Sequence, residues 1–301
     1  MAGVTDRIFR EICLAHGATH AVTEMISAKA MHFGDKKTEQ LAGLGESENT
    51  TSIQIFGREP HIMAEAAAFF SNQPRPPHAI DINMGCPVRK IAGSGQGSAL
   101  MREPKLVGEI VFATVKVSKV PITVKIRAGW DDSGKNAVDV AKIAQDSGAA
   151  HVVVHGRTRE QFYTGEPDLD IIAAVKQALT IPVIANGSIY CADSAQKMLE
   201  YTRCDGLMVA RGAMGNPWIF SEISARLEGR EYTPPTQETI IQTTLDHVAK
   251  LEQSSGEYAL GLCRKHIAWY IKGMKNAAAL RHSINTAANI NNIRRILLSI
   301  V

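Results

Sequence analysis

Seven short runs, rich in β-branched residues and apolar along most of their length, recur along the chain. They are Ala21–Met25, Thr51–Gly57, Ala79–Gly85, Ile122–Gly129, His151–Arg157, Pro182–Ser188 and Gly206–Met214, with starts 24 to 43 residues apart. Runs that are apolar throughout, rather than alternating, belong to strands covered on both faces. Amphipathic stretches fill the intervals. Thr5 is placed to cap a helix carrying Ile8, Phe9 and Ile12 and closed by Gly17, and Asn136 to cap Val138, Ala141 and Ala144. Pro104 opens a helix with Leu106, Val107, Ile110 and Val111, and Pro167 with Asp168 opens one with Leu169, Ile172 and Val175. Strand, helix, strand at this spacing gives right-handed βαβ units and a parallel sheet. The expected class is α/β, a (β/α)8 TIM barrel. A helix precedes the first run, so the alternation calls for one more strand ahead of it, and the first barrel strand is expected to be missing at the N-terminus. A doubly wound open sheet is the rival; no GxGxxG follows any run, which counts against its dinucleotide-binding form.

The pattern changes after Tyr232. Thr233-Pro234-Pro235-Thr236 reads as a linker or a helix start, and Gln237–Gln253, Tyr258–Met274 and Thr286–Ile300 read as helices with no further strand. The expected division is a barrel over residues 1–232 and an all-α domain over residues 233–301. The helical part carries eight Lys and Arg against four Asp and Glu, whereas the rest carries 25 against 26. That asymmetry points to a polyanionic partner. No apolar run is long enough to span a membrane, and the first residues lack the apolar segment of a secretory leader. The five cysteines form no CxxC pair, so neither a zinc site nor a disulfide framework is expected, and a reducing cytoplasmic compartment is.

Barrel chemistry sits where strands end, and these ends are polar: Gln54, Asn83 to Cys86, Lys125 with Arg127, His155 with Arg157, Asn186 to Ser188, and Arg211 with Gly212. Cys86 lies on a turn between Gly85 and Pro87. Its ordinary pKa near 8.5 keeps such a thiol mostly protonated at neutral pH, which favours a proton-donating role. Cys13, Cys204 and Cys263 read as small buried hydrophobes. Lys125 interrupts an apolar run and shares a face with Arg127, so an anion or an electron-rich ring is expected in the barrel mouth. The Asn186-Gly187-Ser188 and Ala210–Pro217 segments end the last two strands, whose loops are the usual phosphate site of this fold, and the phosphate can be that of a flavin mononucleotide. Between Arg264 and Lys275 cations alternate with aromatics, as in RNA binding, although Trp269 and Tyr270 also suit local packing.

Together these residues resemble the tRNA-dihydrouridine synthases, most closely the bacterial B-type branch. The likeness rests on Met1-Ala2-Gly3-Val4-Thr5-Asp6, Ser52–Gly57 around Gln54, Asn83-Met84-Gly85-Cys86-Pro87, Val124-Lys125-Ile126-Arg127, Val154–Arg159, Asn186-Gly187, Ala210-Arg211 and Gly215–Phe220. It implies reduction of specific uridines in tRNA to 5,6-dihydrouridine by an FMN enzyme using NADPH or NADH, with hydride to C6 and a proton from Cys86 to C5. By the same likeness Met1, Ala2, Gln54, Lys125, His155, Asn186, Gly187, Ser188, Ala210 and Arg211 hold FMN. Asn83 and Arg157 face the uracil or its ribose-phosphate, and the helical domain grips tRNA. No metal is expected, and the protein is expected to be a monomer.

Two departures from the family pattern carry expectations. The strand that usually ends in Ala-Pro before Met-Ala is absent ahead of Met1, so either the start is misassigned or the protein is truncated, and a truncated form is expected to bind FMN poorly or to be unstable. Ser188 stands where the branch commonly has Asp, a change that a backbone contact survives and a side-chain contact does not. Two other readings compete: an FMN barrel acting on free pyrimidines, and a non-catalytic RNA-binding protein.

Overall fold

A computed structural model describes residues 1–36, 38 and 41–300. Seven parallel strands form one sheet in chain order: β1 (Ala21–Ser27), β2 (Thr51–Phe56), β3 (Ile80–Asn83), β4 (Ile122–Arg127), β5 (Val152–His155), β6 (Val183–Asn186) and β7 (Gly206–Met208). Strands β2, β4 and β5 are almost wholly buried, as expected of a sheet with side chains on one face and helices on the other, and the polar residues of β2 and β4 are buried along with the apolar ones. This is the α/β, TIM-barrel-like architecture expected. Among the described residues β1 and β7 each pair with one neighbour. The helical layer nevertheless continues across that gap: Ser221 Oγ, in helix Ile219–Leu227, donates to the His16 carbonyl at 2.6 Å, just beyond helix Arg7–Ala15.

Several apolar runs extend past their strands. The last two reach Ser188 and Met214 in sequence, but β6 stops at Asn186 and β7 at Met208. After Asn186 the backbone turns through Gly187 (φ 139°) and Ser188 (φ 48°), conformations that cannot continue a ladder.

Helix caps follow short-range hydrogen-bond chemistry. Asp6, not Thr5, caps the first helix: its Oδ1 accepts from Phe9 N at 3.0 Å, while the Thr5 hydroxyl donates to the Met1 carbonyl. Asp168 caps its helix through Ile171 N at 3.1 Å. Asn136 precedes its helix without a side-chain cap, because its amide donates to the Met101 carbonyl at 2.7 Å instead.

Beyond the barrel lie helices Gln237–Ser255, Ala259–Tyr270, Ala277–Thr286 and Ile290–Leu298. Ala277–Thr286 was not legible as a separate helix; it starts after Asn276, whose φ of 59° breaks the preceding turn. Two apolar clusters result. One fills the barrel and the space beneath its helices. The other joins the C-terminal helices through Ile241, Val248, Cys263, Ile267, Ile293 and Leu297. Helix Arg7–Ala15 belongs to both, placing Phe9 and Cys13 in the first and Ile8 and Ile12 in the second. Among the described residues no helix is long and apolar enough to cross a membrane.

Candidate active site

The floor of the barrel mouth is a buried polar network. Asp81, on β3, accepts from Thr123 Oγ1 and Gln54 Nε2, both at 2.7 Å. Gln54 Oε1 in turn accepts from Asn83 Nδ2 at 2.8 Å. A carboxylate in such a place is tolerable only because each oxygen has a donor. Its effect is to fix Asn83, whose Oδ1 is left to accept from the backbone N–H groups of Gly85 and Cys86 at 3.1 and 2.9 Å. The Cys86 turn is thus set by an asparagine side chain, and Gly85 does not occupy the left-handed region.

On the other side stand the cations. Lys125 is half-buried, and its Nζ donates to Asn186 Oδ1 at 2.9 Å; burial and the neighbouring Arg127 push its ammonium down to about 8. Asn186 is oriented by donating its own Nδ2 to the Met208 carbonyl at 2.7 Å. Arg127 donates to the carbonyls of Gly85, Thr158 and Phe162. Arg157 donates to Thr164, Gly165 and the Ser188 hydroxyl. Arg211 lies over the rings of Tyr163 and Tyr190, 4.7 and 5.5 Å from their centroids, a cation–π clamp at the rim. His155 sits among these charges, and burial first, then Lys125 and the three arginines, hold its pKa far below the ordinary imidazole value. It is neutral, so the site's positive potential comes from Lys125 and the arginines.

Cys86 is half-buried at the end of β3. Burial pushes its thiol up, against smaller opposing effects of the Val88 backbone and Arg127. It therefore carries its proton at neutral pH. Behind it the Cys86 carbonyl accepts from Ser98 N at 3.1 Å, tying the turn to the next loop.

The structure brings Gln54, Asn83, Cys86, Lys125, His155, Arg157, Asn186, Gly187, Ser188, Ala210 and Arg211 to the carboxyl ends of β2 to β7. Met1 lies half-buried within electrostatic range of Lys125 and Glu24, and Ala2 is exposed beside it. Arg157 is more enclosed than a surface ligand, 2% exposed, with its guanidinium directed at loop carbonyls and Ser188. Asp81, Tyr163 and Tyr190 belong to the site and were not singled out in the sequence. Asp81 could have been found as an acid inside an apolar strand, but the two tyrosines lie in loops with no periodic signal.

Seven parallel strands with outer helices, and a protonated thiol, a half-buried lysine and clustered arginines at the strand ends, define an enzyme of the TIM-barrel-like class. Residues 1–297 match the sequence model of the dihydrouridine synthase (Dus) family, and the chain belongs to that family, an oxidoreductase family. Similar relatives include tRNA-dihydrouridine synthase B of Shewanella oneidensis, 45% identical over 90% of this chain and 84% of that protein. The Vibrio parahaemolyticus protein of the same name is 45% identical over 95% and 88%. That of Pseudomonas aeruginosa is 42% identical over 95% and 86%. Among solved structures, histamine dehydrogenase from Rhizobium sp. 4-9 shares the fold with a TM-score of 0.55 at 11% identity. The match covers 76% of this chain and 44% of that one.

Proposed function

We propose that the chain reduces the C5–C6 bond of specific uridines in tRNA to give 5,6-dihydrouridine, with FMN as cofactor and NADPH, or else NADH, as reductant. The observation that carries this reading is the protonated Cys86 thiol on an asparagine-held turn, facing a cationic barrel mouth, in a chain of the dihydrouridine synthase family.

The residues present fit a phosphate-bearing, electron-rich cofactor. Beyond β6 the backbone N–H groups of Gly187 and Ser188 have no partner within the described residues, which suits an anion cradle. A Cβ on Gly187 would lie 2.9 Å from Pro167 and 3.3 Å from His155, so that cradle needs glycine. Lys125, with Asn186 holding it, supplies positive charge at the centre, and Arg211 at the rim. Met1, Ala2, Gln54, His155 and Ala210 complete the proposed FMN contacts. When bound, the flavin supplies the two-electron reduction at C6.

The chain's own task is to position the base and provide a proton. Cys86 Sγ–H donates it to C5, leaving a thiolate that Arg127 stabilises. Asn83 and Arg157 shape the surfaces that receive the uracil and its ribose-phosphate. Asn83 does so through the Cys86 turn, and Arg157 by pinning the 164–165 loop to Ser188. A uridine in folded RNA has to leave its stack to reach this depth. Residues 233–301 serve as the tRNA-binding domain, attached to the barrel of residues 1–232. The proposed setting is the cytoplasm, with the protein a monomer.

The test is the visible absorption spectrum of the purified protein with FMN, followed during addition of NADPH and then unmodified tRNA. A bound-flavin spectrum that bleaches with NADPH and returns with tRNA is expected. A colourless protein that still binds tRNA would instead favour a non-catalytic RNA binder. Return of colour with free uracil as readily as with tRNA would favour an enzyme of free pyrimidines.

A further inference from the structure

Away from the strand ends, three side chains from three helices meet where the barrel joins the helical region. Asp6 caps helix Arg7–Ala15, His247 lies in helix Gln237–Ser255 and His266 in helix Ala259–Tyr270. One donor atom from each lies within 4.8 Å of the other two. His266 Nε2 and Asp6 Oδ2 are 2.8 Å apart, and the two imidazole centroids are separated by 4.5 Å. His247 and His266 are 1% and 2% exposed.

What needs explaining is the pair of nitrogens left over. His247 Nε2 and His266 Nδ1 are buried and have no hydrogen-bond partner, a state that protein interiors rarely leave uncompensated; an ion beside Asp6 would engage His247 Nε2 and the Asp6-facing Nε2 of His266, and so accounts for the first of these two nitrogens. The surroundings fit a ligand rather than a packing fault. The other nitrogen of His247 faces the Tyr270 hydroxyl at 3.3 Å, the outer contact that fixes ring orientation in metal-bound histidines. The second oxygen of Asp6 is held by Phe9 N, so the carboxylate is oriented too.

We infer that Asp6, His247 and His266 form a binding site for a divalent transition-metal ion of the zinc class, which clamps the helical region to the barrel. Two imidazoles and a carboxylate are a donor set that such ions accept, with water or another oxygen as fourth ligand. Donors about 2.0–2.1 Å from zinc in a tetrahedron are roughly 3.3 Å from one another. The Asp6–His266 pair, at 2.8 Å, is already close to that separation, and all three donor atoms lie within 4.8 Å of one another. A cleft of about 400 Å³, lined by Asp6, Arg7, Gly43, Leu44, Leu251 and Ser255 among others, gives an ion access to the carboxylate from solvent.

The experiment uses the full-length holoprotein, stripped with a chelator, incubated with Zn²⁺ and desalted. Metal content is read by mass spectrometry, and melting temperature is measured with and without the ion. About one zinc per chain and a raised melting temperature are expected, both lost in His247→Ala and in His266→Ala. No retained zinc, or equal retention in both variants, would overturn the site. Should the variants fail to fold, zinc-edge X-ray absorption of the wild-type protein decides. A shell of nitrogen and oxygen at about 2.0–2.1 Å with imidazole scattering supports the site, and a sulfur shell near 2.3 Å, or no bound zinc to measure, overturns it.

Discussion

The protonation of Cys86 sets the first expectations. As a proton donor it works while its thiol is intact, and burial raises its pKa. Uridine turnover is therefore expected to hold its plateau through neutral pH and fall only when pH passes the elevated thiol value, as a pH–rate profile would read. Stability follows the same sign. The folded state keeps a proton that the unfolded chain releases first, so this contribution is complete below the unfolded thiol pKa and is lost as pH rises through the folded one. Raising pH through this range should accordingly lower the melting temperature of wild type relative to that of Cys86→Ala. At neutral pH, Cys86→Ala is expected to retain FMN and its reduction by NADPH while slowing uridine reduction by about 10²–10⁴-fold; single-turnover assays on unmodified tRNA check this. A second residue-scale expectation concerns Arg10, whose Nε and Nη2 meet both oxygens of the enclosed Glu48 at 2.6 and 2.9 Å. Arg10→Ala leaves the buried Glu48 carboxylate without its counter-ion, held only by Gly45 N and Thr51 Oγ1 among the described residues, and should lose about 3–5 kcal/mol in denaturant unfolding, most of it regained when Glu48 is also made apolar. Cys86 was legible because a thiol between glycine and proline at a strand end has few structural uses. Asp6 and His266 were not, because their meaning lies in a contact across 260 residues of sequence.

At the scale of elements, sequence period located every strand of the sheet, since apolar runs of this length have few other uses at such regular spacing. It overran their ends because Ala-Asn-Gly-Ser and Val-Ala-Arg-Gly carry apolar or small residues into the loops. Loop geometry, which holds the site, depends on backbone conformations that period cannot report. Gly215 is one such case. It lies beyond β7 at φ 70°, and a Cβ there would fall 2.3 Å from the Trp269 carbonyl carbon and 2.6 Å from Tyr270 N. Both neighbours are backbone, so neither can swing aside. Gly215→Ala should force this loop away from helix Ala259–Tyr270 and lower stability by about 1–3 kcal/mol, measurable as a drop in melting temperature.

For the molecule as a whole, charge asymmetry indicated the kind of partner but not which cations are available to it. Arg264 donates to the Ala287 carbonyl at 2.7 Å and Lys265 to that of Gly3, so both fasten the fold. Lys272, Lys275 and Arg281 are exposed. Replacing these three by glutamine should weaken tRNA binding and reduce its dependence on salt by about one unit of log–log slope per lost phosphate contact. Filter binding across a salt series reads both effects, and an unchanged slope would remove these cations from the interface.

The first helix, with one face in each apolar cluster, also constrains how the chain reaches its fold. Phe9 and Cys13 find partners among the strands that follow, but Ile8 and Ile12 wait for Ile241 to Leu297. Contacts across such separations close late and slow the search. Until the C-terminal helices are in place, the Ile8 and Ile12 face of this helix lacks the apolar partners it has in the finished fold. Such an intermediate is a natural client for a chaperone that shields apolar surface.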